Sequence, residues 1–155
     1  MVEVSEVRES NDMYNVFDVS KLVIRYGNMG MCSISNLKLQ KLLYFIQAYF
    51  LIGKGTECFP DKIEAWDIGP VIPNVYTKYK RYNGTSIPVS SNNTDCFLVE
   101  DEKRIMDVVD FFRDYSSDDL TKLTRDQIPW IKNYVPDRAC EITPKDIQEY
   151  FKTSD

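Results

Sequence analysis

Ser35-Asn36-Leu37-Lys38-Leu39-Gln40-Lys41-Leu42-Leu43-Tyr44-Phe45 opens the stretch that decides the fold. Leu39, Leu42, Leu43, Ile46, Tyr49 and Phe50 recur at the helical period, and Phe45, Ala48 and Leu51 widen the apolar face until little is left for water. A helix apolar nearly all round belongs in the middle of a bundle, so residues 37–52 are expected to form its axis. Ser35 or Asn36 is placed to cap the first amides, and Gly53 or Gly55 to end the helix. Lys38 and Lys41 lie three apart and are expected to mark the solvent edge of this helix. Gln40, polar on a buried helix, is a candidate partner for a tryptophan indole N–H.

Outward from this axis the pattern stays mainly helical. Residues 13–26 carry Val16, Phe17, Val19, Leu22, Val23 and Tyr26 at helical spacing, with Gly27 and Gly30 as stop and loop. Residues 63–68 are too short for a helix before Gly69 and read as an extended piece; residues 96–99 form the other apolar extended piece and are expected to pair with it. Pro70 and Pro73 suit the first turn of a helix that continues through Tyr82. Ile105, Met106, Val108, Val109 and Phe112 mark a helix over 102–115, and Ser117 with Asp118 and Asp119 begins another. Ile128-Pro129-Trp130 reads as a bend with an aromatic anchor, and Thr143-Pro144-Lys145-Asp146 as the capping box of a last helix carrying Ile147, Tyr150 and Phe151. The expected fold is thus a compact, mainly α domain around a central buried helix, with at most a small two-stranded β element. Residues 1–155 suit one domain, which at this length buries about two-thirds of the surface its unfolded chain exposes. The first dozen residues, acidic and weakly patterned, are expected to fray.

Hydrophobic residues make up 43% of the chain and charged residues 28%, the composition of a folded globular protein. The net charge of -5 opposes a sequence-independent grip on nucleic acid, which requires bases to neutralise phosphates. The charge is uneven. Residues 36–82 hold seven bases against four acids, and residues 100–119 hold eight acids against three bases, so a basic patch is available to an acidic partner even though a solvated helix face also explains the bias. The start has no basic segment followed by an apolar run, and no apolar stretch reaches the roughly 20 residues that span a bilayer. With Cys32, Cys58, Cys96 and Cys140 dispersed and no CxxC pair, the expectation is reduced thiols and a cytoplasmic setting. Asn83-Gly84-Thr85 is accordingly read as a turn and not as a glycosylation site.

The chain contains no histidine, which removes the commonest general base, the usual zinc ligand and every Ser-His or Cys-His pair. Glu64 and Asp67 flank Trp66, but acids three apart in an extended segment point to opposite faces, so surface charge or a local hydrogen bond is expected of them. Gly53-Lys54-Gly55-Thr56 follows a helix instead of joining a strand to one and lacks phosphate-loop spacing. No catalytic residue, metal site or cofactor site is assigned. Ile72, Val75, Tyr76 and Tyr79 recur at helical spacing and suit inward packing; the alternative is that Tyr79, Lys80, Tyr82 and nearby bases line a partner-binding groove, since tyrosine and basic anchors suit interfaces. Trp66 and Trp130 are read as core anchors whose indole N–H finds a carbonyl or an amide.

Several pieces, in order, resemble the Panacea antitoxin domain family. They are Leu37-Lys38-Leu39-Gln40-Lys41-Leu42-Leu43-Tyr44; Phe59 followed by Ile63-Glu64-Ala65-Trp66; Gly69-Pro70-Val71-Ile72-Pro73-Asn74-Val75-Tyr76; the block from Leu120 to Pro129-Trp130; and the terminal helix. Arg125 departs from the pattern, standing where members often carry histidine. The resemblance implies a non-enzymatic protein that neutralises a cognate toxin by direct binding, in at least one type as an adaptor that delivers the toxin to a protease. A phage or prophage interaction protein of the same fold, bound to a host or phage protein, and a histidine-independent enzyme stay open as alternatives. Neither nucleic acid nor membrane is an implied partner.

Overall fold

The computed structural model describes residues 12–90 and 97–153. The expected fraying of the first dozen residues falls almost wholly outside that range, as does Cys96. Seven helices and three short strands follow in the order α1 (Val16–Met29), α2 (Asn36–Gly53), β1 (Ile63–Trp66), β2 (Gly69–Val71), α3 (Pro73–Tyr79), a 3-10 turn (Lys80–Tyr82), α4 (Val99–Phe111), α5 (Ser117–Arg125), α6 (Ile128–Asn133), β3 (Cys140–Ile142) and α7 (Pro144–Thr153). The fold is mainly α, with α2 as its axis as its sequence requires.

The Ser35 hydroxyl caps α2 by accepting from the Lys38 amide, and Leu39, Leu42, Leu43, Tyr44 and Ile46 have no exposed surface. Helices α1, α3, α4, α5 and α7 surround this axis. Burying five such side chains against neighbours contributes about 1.5–3 kcal/mol each. Tyr49 departs from the expected inward face, and it and Ile52 each have more than two-fifths of their surface exposed. They line an open groove, while Phe50 and Leu51 of the same turns are buried. Gly27 is a buried residue inside α1 and Gly30 ends that helix, so the stop lies at the second glycine alone.

The sheet differs from expectation in number and pairing. β1 is central, antiparallel to β2 on one edge and to β3 on the other, in the order β2-β1-β3. The expected pairing does not occur at the described residues 97–99: Val99 opens α4, and Phe97 packs its ring 4.6 Å from that of Tyr14. Pro70 lies in β2 and not in a helix. It faces Ala65 on an edge strand, where a missing N–H is tolerated, and only Pro73 opens the helix. Gly69, with φ of +98°, makes the turn back from Asp67-Ile68 in a conformation that side chains oppose.

Helix boundaries shift elsewhere for local reasons. α4 runs Val99–Phe111, since Phe112 already leaves helical geometry. Ser116, not Ser117, caps α5, exchanging bonds with Asp119 in a capping box. Thr143 and Asp146 form the box expected before α7. Burial alone would raise the pKa of Asp146, but the hydrogen bonds from Lys132, Asn133 and Thr143 hold it at about 2. Among the described residues no helix is long and apolar enough to cross a membrane.

Candidate protein-binding surfaces

The polar residues of α2 are drawn inward, contrary to the expectation for Lys38 and Lys41. Both are buried. The Lys38 ammonium donates to the carbonyls of Arg113 (3.1 Å) and Tyr115 (2.7 Å), fastening the segment that follows α4. Lys41 donates to the Pro70 carbonyl at 3.0 Å, and burial without a neutralising acid lowers its pKa to about 7. Gln40 takes no indole: its Nε2 donates to Asn36 Oδ1 (2.9 Å), and its Oε1 accepts from the Ile72 amide (2.9 Å). Asn36 in turn donates to the Tyr76 carbonyl. Lys38, Gln40 and Lys41 therefore act on main-chain groups brought from elsewhere in the sequence, while Leu39 fills the core between them.

The tryptophans are anchors with other partners. Trp66 donates to Glu64 Oε1 (2.9 Å) and packs edge-on against Tyr76, and Trp130 donates to the Trp66 carbonyl (2.8 Å). Glu64 is thus engaged in a local hydrogen bond, as read from its spacing, and Asp67 accepts from the Tyr134 hydroxyl. Pro129 opens α6 and is buried, and Val71 is fully buried in β2. Arg125 lies over the Trp130 ring at 4.9 Å. Among the described residues Cys32, Cys58 and Cys140 are free thiols, and no group of histidine, cysteine or acid side chains is assembled for a metal.

Among the described residues, two of the open surfaces carry clustered aromatic side chains. The first is a cleft of about 550 Å³ lined by Lys21 and Ile24 of α1, Lys78, Tyr79, Arg81 and Tyr82, and the segment 87–90. Tyr79 is buried, as its helical spacing suggests, with its ring 6.4 Å from that of half-buried Tyr82. Burial, and then the neighbouring Tyr82, raise the pKa of Tyr79, so the phenol stays neutral. Lys80 is exposed beside the cleft but does not line it. The structure therefore brings Tyr79 and Tyr82 together and leaves Lys80 outside. Lys21 and the 87–90 wall come from distant segments, which helical spacing in α3 cannot reveal.

The second surface is an apolar groove of about 380 Å³ between α2, α4 and α7. Phe45, Ala48, Tyr49 and Ile52 form one wall, and Val108, Phe111, Phe112 and Phe151 the remainder, with Asp107 at the edge. Phe111 is 70% exposed. The helical pattern of 102–115 marks Phe112 as a core residue but gives no reason to single out Phe111.

A family model described as Antitoxin SocA-like, Panacea domain, matches residues 39–131, more than half of the chain. Antitoxin SocA of Caulobacter vibrioides (strain NA1000 / CB15N) is 56% identical over 43 residues, which cover 28% of this chain and 23% of that relative. The alignment thus spans about a quarter of the curated relative's length. No solved structure matches the chain. Residues 39–131 take in most of α2, the β1–β2 hairpin, the tyrosine helix and the Trp130 anchor, the parts that also carry the motif resemblance. The chain belongs to the Antitoxin SocA-like, Panacea domain family.

Proposed function

We propose that this protein neutralises a cognate toxin by direct, stoichiometric binding, without turnover. The observation that carries this reading is the fate of the polar residues in the motif helix. Lys38, Gln40 and Lys41 are buried and spend their hydrogen bonds on the Arg113, Tyr115 and Pro70 carbonyls, the Ile72 amide and Asn36. The matched region builds a scaffold, and recognition is left to its outer surface. Tyr82 at the mouth of the cleft and Lys80 beside it are the proposed contacts, with Tyr79 backing Tyr82 from beneath. The apolar groove adds aromatic surface of the kind that interfaces bury at their centre.

The experiment is co-expression of the chain with the product of each adjacent reading frame, scored for rescue of growth and for co-purification. Rescue with a stable complex supports the reading; rescue without physical association contradicts it. Delivery of the toxin to a protease is the finer form that family resemblance suggests. It would appear as toxin loss in cells, with undiminished toxin activity in a purified mixture that lacks protease.

A further inference from the structure

The cleft between α1 and the tyrosine helix has a charge pattern that specifies its occupant. Lys21, Lys78 and Arg81 line it, and among the described residues no aspartate or glutamate does. Asp18 lies one turn before Lys21 on α1, but among the described residues no ion pair joins an acid to any of the three cations. Their positions are supported by aromatic rings. Lys78 Nζ lies 5.3 Å from the centre of the Phe17 ring and 5.8 Å from that of Tyr79. The Arg81 guanidinium lies over the Tyr82 ring at 4.9 Å and donates to its hydroxyl at 2.8 Å. Cations held in this way lose less freedom on binding than free side chains do. The opposite wall is also fixed: the Ile87 amide donates to the Ile34 carbonyl (2.9 Å), and the Ile87 side chain is buried.

We propose that this cleft receives an acidic segment of a protein partner, with its carboxylates meeting Lys21, Lys78 and Arg81 and its aliphatic stems lying on Ile24 and Val89. The proposal rests on the reading that the chain grips another protein. A volume of about 550 Å³ falls within the about 300–1,000 Å³ typical of ligand clefts and accommodates a short cluster of side chains. The whole chain carries -5, so a nucleic-acid strand continuing beyond the cleft would meet like charge, whereas an acidic cluster on a folded partner ends where the bases end.

The test is titration of a blocked hexaglutamate peptide into isotope-labelled protein at low ionic strength, followed by amide chemical shifts. Shift changes are expected at Lys21, Lys78, Arg81, Tyr82 and Val89, with affinity falling by about tenfold or more in the Lys78→Glu/Arg81→Glu variant, whose two exposed substitutions leave the fold unchanged. Added salt is expected to weaken the interaction in the parent protein. Absence of shifts in the cleft, or equal binding by the charge-reversed variant, overturns the proposal, and so does tighter binding of a single-stranded oligothymidylate of equal charge. Because no toxin enters this measurement, failure here leaves neutralisation standing, and failure of the co-expression experiment leaves the acid preference of the cleft standing.

Discussion

The Lys41 ammonium lies 3.0 Å from the carbonyl oxygen of Pro70, 29 residues away, and fastens the β2 edge to the central helix from inside. Burial without a neutralising acid lowers the Lys41 pKa to about 7, whereas in the unfolded chain it titrates near the ordinary lysine value of about 10.4. Between these limits the unfolded state holds the proton and the folded state has released it. Stability from this group therefore rises with pH, at up to about 1.4 kcal/mol per unit, and is flat below pH 7, where both states are charged. Lys41→Met keeps an unbranched side chain and cannot titrate. Urea midpoints of the two proteins, compared from below pH 7 into the alkaline range, are expected to move in favour of the parent as pH rises; parallel profiles would contradict the assignment.

Leu43→Ala and Ile46→Ala are each expected to cost about 2–5 kcal/mol, the usual large-to-small penalty where a site cannot collapse. Both residues have no exposed surface in α2. Denaturation midpoints check this, and an unchanged midpoint for both would mean that α2 is not the axis.

Gly69→Val is expected to destabilise by more than about 2 kcal/mol, combining a disfavoured backbone with a collision. A Cβ at Gly69 would lie 2.8 Å from Lys41 Cε and 3.1 Å from Thr124 Oγ1 at a φ of +98°. Gly55 separates the two causes, because it has a φ of +77° with nothing within 4 Å of a built Cβ. Gly55→Ala should cost only the backbone term, about 1–2 kcal/mol. Equal losses at the two positions in thermal melts would show that the Lys41 contact contributes nothing.

The axis of the fold was legible because its signal is local: the period of Leu39, Leu42, Leu43 and Ile46 is written within a few turns. The same spacing misplaced Lys38 and Lys41. A lysine leaves the solvent edge when acceptors arrive from distant chain, here Arg113, Tyr115 and Pro70, and nothing near residues 38–41 announces them. The third strand was hidden for a related reason, since Cys140, Glu141 and Ile142 are too few to show alternation and pair with β1 from far along the sequence. Of the cleft, Tyr79 and Tyr82 were visible as aromatic residues among bases, but Lys21 enters from α1 and the far wall from 87–90. The exposure of Phe111 follows from where α4 ends against α2 and α7, a tertiary circumstance that helix periodicity does not encode.

For the interface, Tyr82→Ala with Lys80→Ala is expected to weaken toxin binding by about tenfold or more, since a few aromatic and basic anchors carry most interface energy. Lys80 is exposed, whereas Tyr82 is half-buried and packs against the core, so the double variant is expected to melt below the parent and is titrated at a temperature where it is fully folded. Tyr79→Phe provides the control: it keeps the buried ring and removes only the hydroxyl. Calorimetric titration of the toxin checks both variants, and unchanged affinity in the double variant would move the contact elsewhere on the molecule.

The central claim is neutralisation by binding, and titration of purified toxin activity against this protein tests it most directly. Inhibition should climb in proportion to added protein, reach completion at an equimolar mixture in the tight-binding regime and persist in the presence of a chelator. Complete inhibition at far below equimolar protein would instead reveal turnover, such as chemical modification of the toxin, and would contradict the account.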